Sequence, residues 1–239
     1  MIDEKSKNGL FLSDDPKSVV SEAFRVLRTN LQFSSVDRPL KKVMVTSSVP
    51  QEGKSTVISN LALSLASAGN KVLLVDADMR RPNIYKIFLL ENYKGLSNLL
   101  AEDLPIESVV IDTDIENLHI ITSGPVPPNP AEMLGSQKMK KFLEEVSSRY
   151  DMVLIDSPPV NSVADASILS SLVDGVILVV EAGKTEREAA MVAVQQLKKV
   201  NARILGAILN KVKQQKGGGY YYYYYYYGED GNRIKKKRR

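Results

Sequence analysis

At 239 residues, the chain is long enough for one large α/β domain, and nothing in its composition asks for a second core. It contains no cysteine, which removes disulfides and zinc–thiolate sites; no apolar run approaches the roughly 18 residues of a membrane span and "MIDEKSKNG" at the N-terminus has no apolar signal core, so a cytoplasmic chain is expected. The formal charge of +4 is uneven: residues 216–239 hold seven Lys/Arg against Glu229 and Asp230, which leaves the body close to neutral, so no nucleic-acid partner is expected.

In chain order, "PKSVVSEAFRVLRTNLQF" from Pro16 places Val20, Phe24, Leu27 and Leu31 at helical spacing. Glu22, Arg25 and Arg28 step three at a time along another face, a pattern that a solvated i,i+3 ion pair also explains. Beyond it, short β-branched runs alternate with helical stretches. The runs are "KVMVTSS", "KVLLVDAD", "LHIITS", "DMVLIDS", "GVILVVE" and "ARILGAILN". The helical patterns run from about Lys54 to Ala68, closed by Gly69, and follow Ala131, Asp165 and Lys184. This rhythm predicts an α/β fold with a mainly parallel sheet covered by helices on both faces. His119, the sole histidine, falls inside an apolar strand pattern and reads as structural.

In such a sheet, ligands bind beyond the carboxyl ends of the strands, and three motifs fall there. The first, "VTSSVPQEGKST", runs from a strand into a helix start. Amides of the loop Gln51, Glu52, Gly53, Lys54, Ser55 and Thr56 would cradle phosphate oxygens, Lys54 would reach the β/γ-phosphates, and the Ser55 hydroxyl would bind Mg²⁺. Ser48 stands where the strict phosphate-loop pattern has its first glycine.

The second motif is "VLLVDADMRRP". Asp76 and Asp78 are expected to end a buried strand with their carboxylates on one side, where they repel and need a cation, or else stand as solvated acids. One of them would take a proton from a hydroxyl. Arg80 and Arg81 follow, either as surface charges or as anion binders beside the phosphates. The third motif is "MVLIDSPP", in which Asp156 has the form of a Walker B acid that holds Mg²⁺. Phosphate loop, double aspartate and strand aspartate, in that order, point to a nucleotide.

These residues closely resemble the bacterial protein-tyrosine kinases of capsular and exopolysaccharide operons, relatives of the MinD/ParA group of P-loop ATPases. The resemblance covers nearly the whole chain and rests on "PQEGKS", "DADMR", "DSPP", the Glu22–Arg25–Arg28 pattern, the segment Gly124 to Pro130 and the terminal tyrosines. Gln51 departs from it, because the family usually has glycine there.

The resemblance implies a P-loop NTPase fold of the MinD/ParA type and phosphoryl transfer from ATP with Mg²⁺. It makes Lys54, Asp76 and Asp78 catalytic, puts Ser55, Asp76 and Asp156 at the metal and Arg80 at the nucleotide, and favours Asp78 as the base without separating it from Asp76. It implies Asn210 near the adenine and Glu22, Arg25 and Arg28 as a self-association motif for a homo-oligomer, most simply a ring. A membrane-embedded activator of the polysaccharide co-polymerase type, which would recruit the chain to the inner face of the membrane, and a cognate tyrosine phosphatase are the further partners it implies.

The division expected is a kinase domain with its association helix over 1–215 and a tyrosine-rich basic tail over 216–239. Tyr220, Tyr221, Tyr222, Tyr223, Tyr224, Tyr225, Tyr226 and Tyr227 would be phosphoacceptors. The stretch from Lys213 to Tyr220 spans about 14–17 Å as a Gly-rich coil and roughly 25 Å when extended, which suits delivery to a neighbouring subunit's site. Rival readings of the tyrosines are an aggregating segment or a stacking surface for RNA. Rivals for the whole chain are a MinD/ParA-like switch ATPase, with "RIKKKRR" as its contact, and a nucleotide-stabilised scaffold of the polysaccharide machinery.

Overall fold

The structure, a computed structural model, describes residues 9–34 and 39–213. It contains a seven-stranded sheet in the order β3-β4-β2-β5-β1-β6-β7. The strands are β1 (Lys42–Ser47), β2 (Val72–Asp76), β3 (Ile111–Asp112), β4 (Leu118–Ile121), β5 (Met152–Asp156), β6 (Gly175–Glu181) and β7 (Ile204–Asn210). All neighbours pair in parallel except β3, which runs antiparallel to β4. The helices are α1 (Phe11–Asp14), α2 (Val19–Phe33), α3 (Lys54–Ala66), α4 (Ile84–Ile87), α5 (Leu96–Ala101), α6 (Pro130–Leu134), α7 (Gln137–Arg149), α8 (Asp165–Ser170) and α9 (Arg187–Lys199). The expected parallel sheet with two helical faces is therefore present.

Strand alternation divides the core into two layers, because side chains two apart share a face. Met44, Leu73, Val75, Val153, Ile155, Val176 and Leu178 point into one layer, which α5 to α9 close with Leu96, Leu134, Phe142, Leu143, Val146, Leu169 and Leu197. Val43, Val45, Val72, Leu74, Leu154, Ile177 and Val179 point into the other, closed by Leu31 of α2, Ile84 of α4 and Val57, Ile58, Leu61 and Leu65 of α3. Leu61 is fully buried, a contribution of about 1.5–3 kcal/mol over an exposed leucine.

Helix α3, which carries Lys54 and Ser55 at its start, lies between the sheet and α2 and is buried along nearly its whole length. The Arg28 guanidinium donates to the Ser64 carbonyl at 2.7 Å, so α2 is bound to α3 through a residue of its charged face.

Local differences from the sequence reading have local causes. Helix α2 starts at Val19 rather than Pro16, because the Ser18 side chain accepts from the Ser21 N–H and caps it there. The single helical pattern after Ala131 is two helices, since Gly135 ends α6 and Ser136 caps α7 by accepting from the Met139 N–H. Strand β2 stops at Asp76, so Asp78 lies beyond the paired strand and its carboxylate reaches the site from a loop. His119 stands on β4, with its ring edge-on to Tyr150.

Candidate functional site

The adjacent parallel strands β1, β5 and β2 bring three motifs to one rim. Asp156, at the end of β5, is in register with Val45 of β1 and with Asp76 of β2. The loop after β1 then turns into α3 at Gly53, which adopts φ 90° and faces the side chain of Asn210 at the end of β7. A β-carbon there would lie 2.3 Å from Asn210 Nδ2, so only glycine fits.

Lys54 is the hub of the charge cluster. Its ammonium lies 2.8 Å from Asp78 Oδ2 and 3.4 Å from Asp156 Oδ1, and 3.3 Å from the Ser55 hydroxyl. Ser55 donates to Asp156 Oδ2 at 2.6 Å. Burial works to drive the lysine pKa down, but Asp156, Asp78 and Asp76 outweigh it and hold the pKa above the ordinary lysine range. The carboxylates show the converse: burial, then the charge of Asp156, pushes Asp76 up to about 8, against the pull of Lys54 and the Ile84 N–H. Burial also raises Asp156, with Lys54 and the Ser55 hydroxyl opposing.

Hydrogen bonding separates the two aspartates that the motif leaves equivalent. Asp76 is saturated by backbone: Oδ1 accepts from the Asp78 N–H at 3.1 Å, and Oδ2 from the N–H groups of Asn83 and Ile84, both at 3.1 Å. It thereby shapes the turn into α4. Asp78 accepts the Arg81 N–H at 3.0 Å on Oδ1, while its Oδ2 meets the Lys54 ammonium.

The phosphate loop has its own internal frame. Glu52 is almost fully buried, and its carboxylate faces inward rather than toward a ligand. It accepts the Ser48 hydroxyl, the Val49 N–H at 2.9 Å and the Thr185 hydroxyl. Asn210 donates to the Glu52 carbonyl at 2.9 Å. Gln51 is exposed and sits at φ 68°, a left-handed conformation that costs a residue with a β-carbon about 1–2 kcal/mol. This accounts for the glycine usual at that place in the resembling family. Thr56 is half-buried on the first turn of α3.

Arg80 is held by Asp165 through two bonds, Nε to Oδ2 at 2.9 Å and Nη2 to Oδ1 at 3.0 Å. That pairing leads the causes that raise the guanidinium pKa. Lys54, Ser55, Asp76, Asp78 and Asp156 are thus brought together, and Gln51, Glu52, Gly53 and Asn210 adjoin them in the loop. Glu22 and Arg25 pair at 2.8 Å on α2. Tyr220 to Tyr227 lie outside the described residues.

Sequence reading missed Glu181, Thr185, Lys211 and Asp165, which hold the motif residues in place. The one available signal was position, since Glu181 ends β6, and Thr185 and Lys211 follow the ends of β6 and β7 on the same rim.

The donor set suits magnesium. A hydroxyl and a carboxylate offer hard oxygen ligands, and crowded buried carboxyls with raised pKa values are relieved by a cation. Among the described residues, no group of three or more His, Cys, Asp or Glu side chains forms a metal cage.

A family profile described as an AAA domain matches residues 40–213. The tyrosine-protein kinase YwqD of Bacillus subtilis (strain 168) is 48% identical over 202 residues, covering 84% of this chain and 85% of that protein. Among solved structures, the chimerical protein CapA2B2 superposes with a TM-score of 0.83 at 37% identity, over 86% of this chain and 91% of that one. The kinase domain of the Escherichia coli tyrosine kinase ETK gives 0.84 at 34% identity, over 88% and 83%. The septum site-determining protein MinD of Pyrococcus horikoshii OT3, complexed with Mg-ADP, gives 0.63 at 27% identity, over 74% and 72%.

Proposed function

The chain belongs to the bacterial tyrosine-protein kinases, and on that premise we propose that it transfers the γ-phosphoryl group of ATP to the tyrosines of its own C-terminal cluster, in trans, and so regulates capsular or exopolysaccharide synthesis and export. The observation that carries this reading is the convergence of Lys54, Ser55, Asp78 and Asp156 at the ends of β1, β2 and β5. Catalysis of phosphoryl transfer is mostly positioning and charge stabilisation, and those groups supply both.

In this reading Lys54 and the loop amides of Gln51 to Thr56 hold the phosphates. Mg²⁺ would be held by Ser55, with Asp156 behind it, and would neutralise charge on the phosphate oxygens. Asp76 keeps its backbone bonds and shapes the loop, so its share in the metal site is indirect. When Lys54 turns to the phosphates, Asp78 Oδ2 becomes able to accept the phenol proton. The tyrosine oxygen bonds to the γ-phosphorus, the bond to the ADP oxygen breaks, and the proton passes to Asp78. Arg80, anchored by Asp165, would meet a phosphate from the rim. Asn210 packs on Gly53, which supports its assignment to the base side of the nucleotide.

The tail at 216–239 supplies the acceptor to a domain spanning 1–215. Tethering raises the local phenol concentration to about the mM range, so weak recognition of tyrosine suffices. Delivery to a neighbour requires self-association, which we assign to Glu22 and Arg25, with Arg28 fixing the helix against α3. No described helix is long and apolar enough to cross a membrane. We assign recruitment to the inner membrane face to a membrane-embedded activator of the co-polymerase type, with a tyrosine phosphatase reversing the modification.

The test is mass-spectrometric detection of phosphotyrosine after incubation with ATP, Mg²⁺ and the activator. Phosphate on Tyr220–Tyr227 in the unsubstituted chain, absent in Lys54→Met, is the expected result. ATP consumption without phosphotyrosine would instead support the switch-ATPase reading.

A further inference from the structure

Two consecutive carbonyls of the phosphate loop are held by two consecutive residues from the far end of the domain. Asn210 Nδ2 donates to the Glu52 carbonyl at 2.9 Å, and Lys211 Nζ donates to the Gln51 carbonyl at 2.7 Å. Lys211 is in turn fixed by Glu181 Oε2 at 2.9 Å. Its backbone, at φ 56°, is left-handed like that of Gln51.

We propose that Lys211, held by Glu181, is a positioning residue that braces the phosphate loop in the shape that takes ATP. The reason lies in peptide geometry. In a planar trans peptide, the carbonyl of one residue and the N–H of the next point in opposite directions. Pinning the Gln51 and Glu52 carbonyls on the β7 side therefore turns the N–H groups of Glu52 and Gly53 to the opposite side. Neither N–H has a hydrogen-bond acceptor among the described residues. Two adjacent N–H groups directed the same way at a helix start make an anion-binding concavity.

The brace matters more here because Gln51 resists the left-handed conformation that a glycine would adopt without cost. A non-glycine residue keeps such a conformation where its surroundings hold it there, and Lys211 is the side chain that grips this peptide. No sequence motif marks Lys211, and it touches the loop rather than the reacting atoms.

The proposal rests on the kinase reading of the same site, and its test separates the two. A fluorescent N-methylanthraniloyl-ADP is titrated into the full chain with Mg²⁺. Lys211→Met should weaken binding about threefold to tenfold, as for loss of a partly exposed charged contact, and Lys211→Arg should restore most of it. In phosphotyrosine formation the loss should show chiefly as a raised KM for ATP, with the rate at saturating ATP falling by less than the affinity does, because Lys211 touches the loop and not the reacting groups.

Glu181→Gln decides between a brace and a charge aimed at the phosphates. The brace predicts weaker binding, since Lys211 loses its anchor; a lysine acting directly on the phosphates predicts tighter binding, since it is released toward them. Unchanged binding in Lys211→Met, or tighter binding in Glu181→Gln, overturns the brace and leaves the kinase reading standing. Absence of nucleotide binding in the unsubstituted chain overturns both.

Discussion

Lys54 Nζ and Asp78 Oδ2 lie 2.8 Å apart with both side chains nearly buried, so the cation that we assign to phosphate and the carboxylate that we assign to the phenol hold each other. Each is kept from its chemistry until something anionic draws the lysine away. A nucleotide's phosphates would do that, so under the proposed roles ATP has to bind before Asp78 can accept the phenol proton.

Asp78→Asn should accordingly separate binding from transfer. The rate of phosphotyrosine formation should fall about 10²–10⁴-fold, the usual range for loss of a general base. ATP affinity should hold or improve, because Lys54 no longer has to leave an ion pair. Rates and nucleotide titration on the same variant check this, and loss of ATP affinity in proportion to rate would place Asp78 with the nucleotide instead.

The buried carboxyls make a prediction about pH. Asp76 has its pKa pushed up to about 8 in the fold, against an ordinary value near 4, so the native state binds more protons than the unfolded state across that interval. The associated stabilisation is fully present below pH 4 and is lost as pH rises through 8. In Mg²⁺-free buffer the unfolding midpoint should decline between pH 5 and pH 8 for this reason, and Asp76→Asn should flatten the decline. A midpoint that rises over that range in the unsubstituted chain, with no difference in the variant, would contradict the assignment.

Gly53→Ala tests the seam between the phosphate loop and β7. The new β-carbon would meet Asn210 Nδ2 at 2.3 Å, in a backbone conformation of φ 90°. Stability should fall by more than about 1 kcal/mol and nucleotide binding should be lost. Thermal unfolding and titration would show it, and a variant that binds normally would mean the seam is loose in solution.

Much of this site could be read from residue order alone. A strand, a loop ending in Gly53–Lys54–Ser55 and a helix are local features, and Asp76 and Asp156 end apolar runs that announce buried strands. What the order of residues hid was contact between distant segments. Thr185 grips Glu52 across 133 positions and Lys211 grips Gln51 across 160, and neither belongs to any pattern. The different fates of Asp76 and Asp78 were hidden too, because they depend on which backbone N–H groups the turn before α4 presents. Helix α1 and the short helices α4 and α5 were missed for a related reason: four to six residues carry little periodicity of their own.

Phosphorylation of the tail should act on assembly through charge. Each phosphate adds about −1.5 to −2, so three modified tyrosines cancel roughly the whole net positive charge of residues 216–239, and four reverse it and make neighbouring tails repel. Light scattering on a sizing column should show a smaller particle after phosphorylation and a larger one after phosphatase treatment. Equal masses in the two states would remove this link.

The most direct measurement is the site-resolved phosphotyrosine content of three chains incubated with ATP, Mg²⁺ and the activator: unsubstituted, Lys54→Met, and all eight of Tyr220–Tyr227 changed to Phe. The account predicts phosphate on the cluster in the first and none in the second. In the third it predicts none on the tail with nucleotide binding intact. ATP turned over by the unsubstituted chain with no phosphotyrosine formed would contradict it.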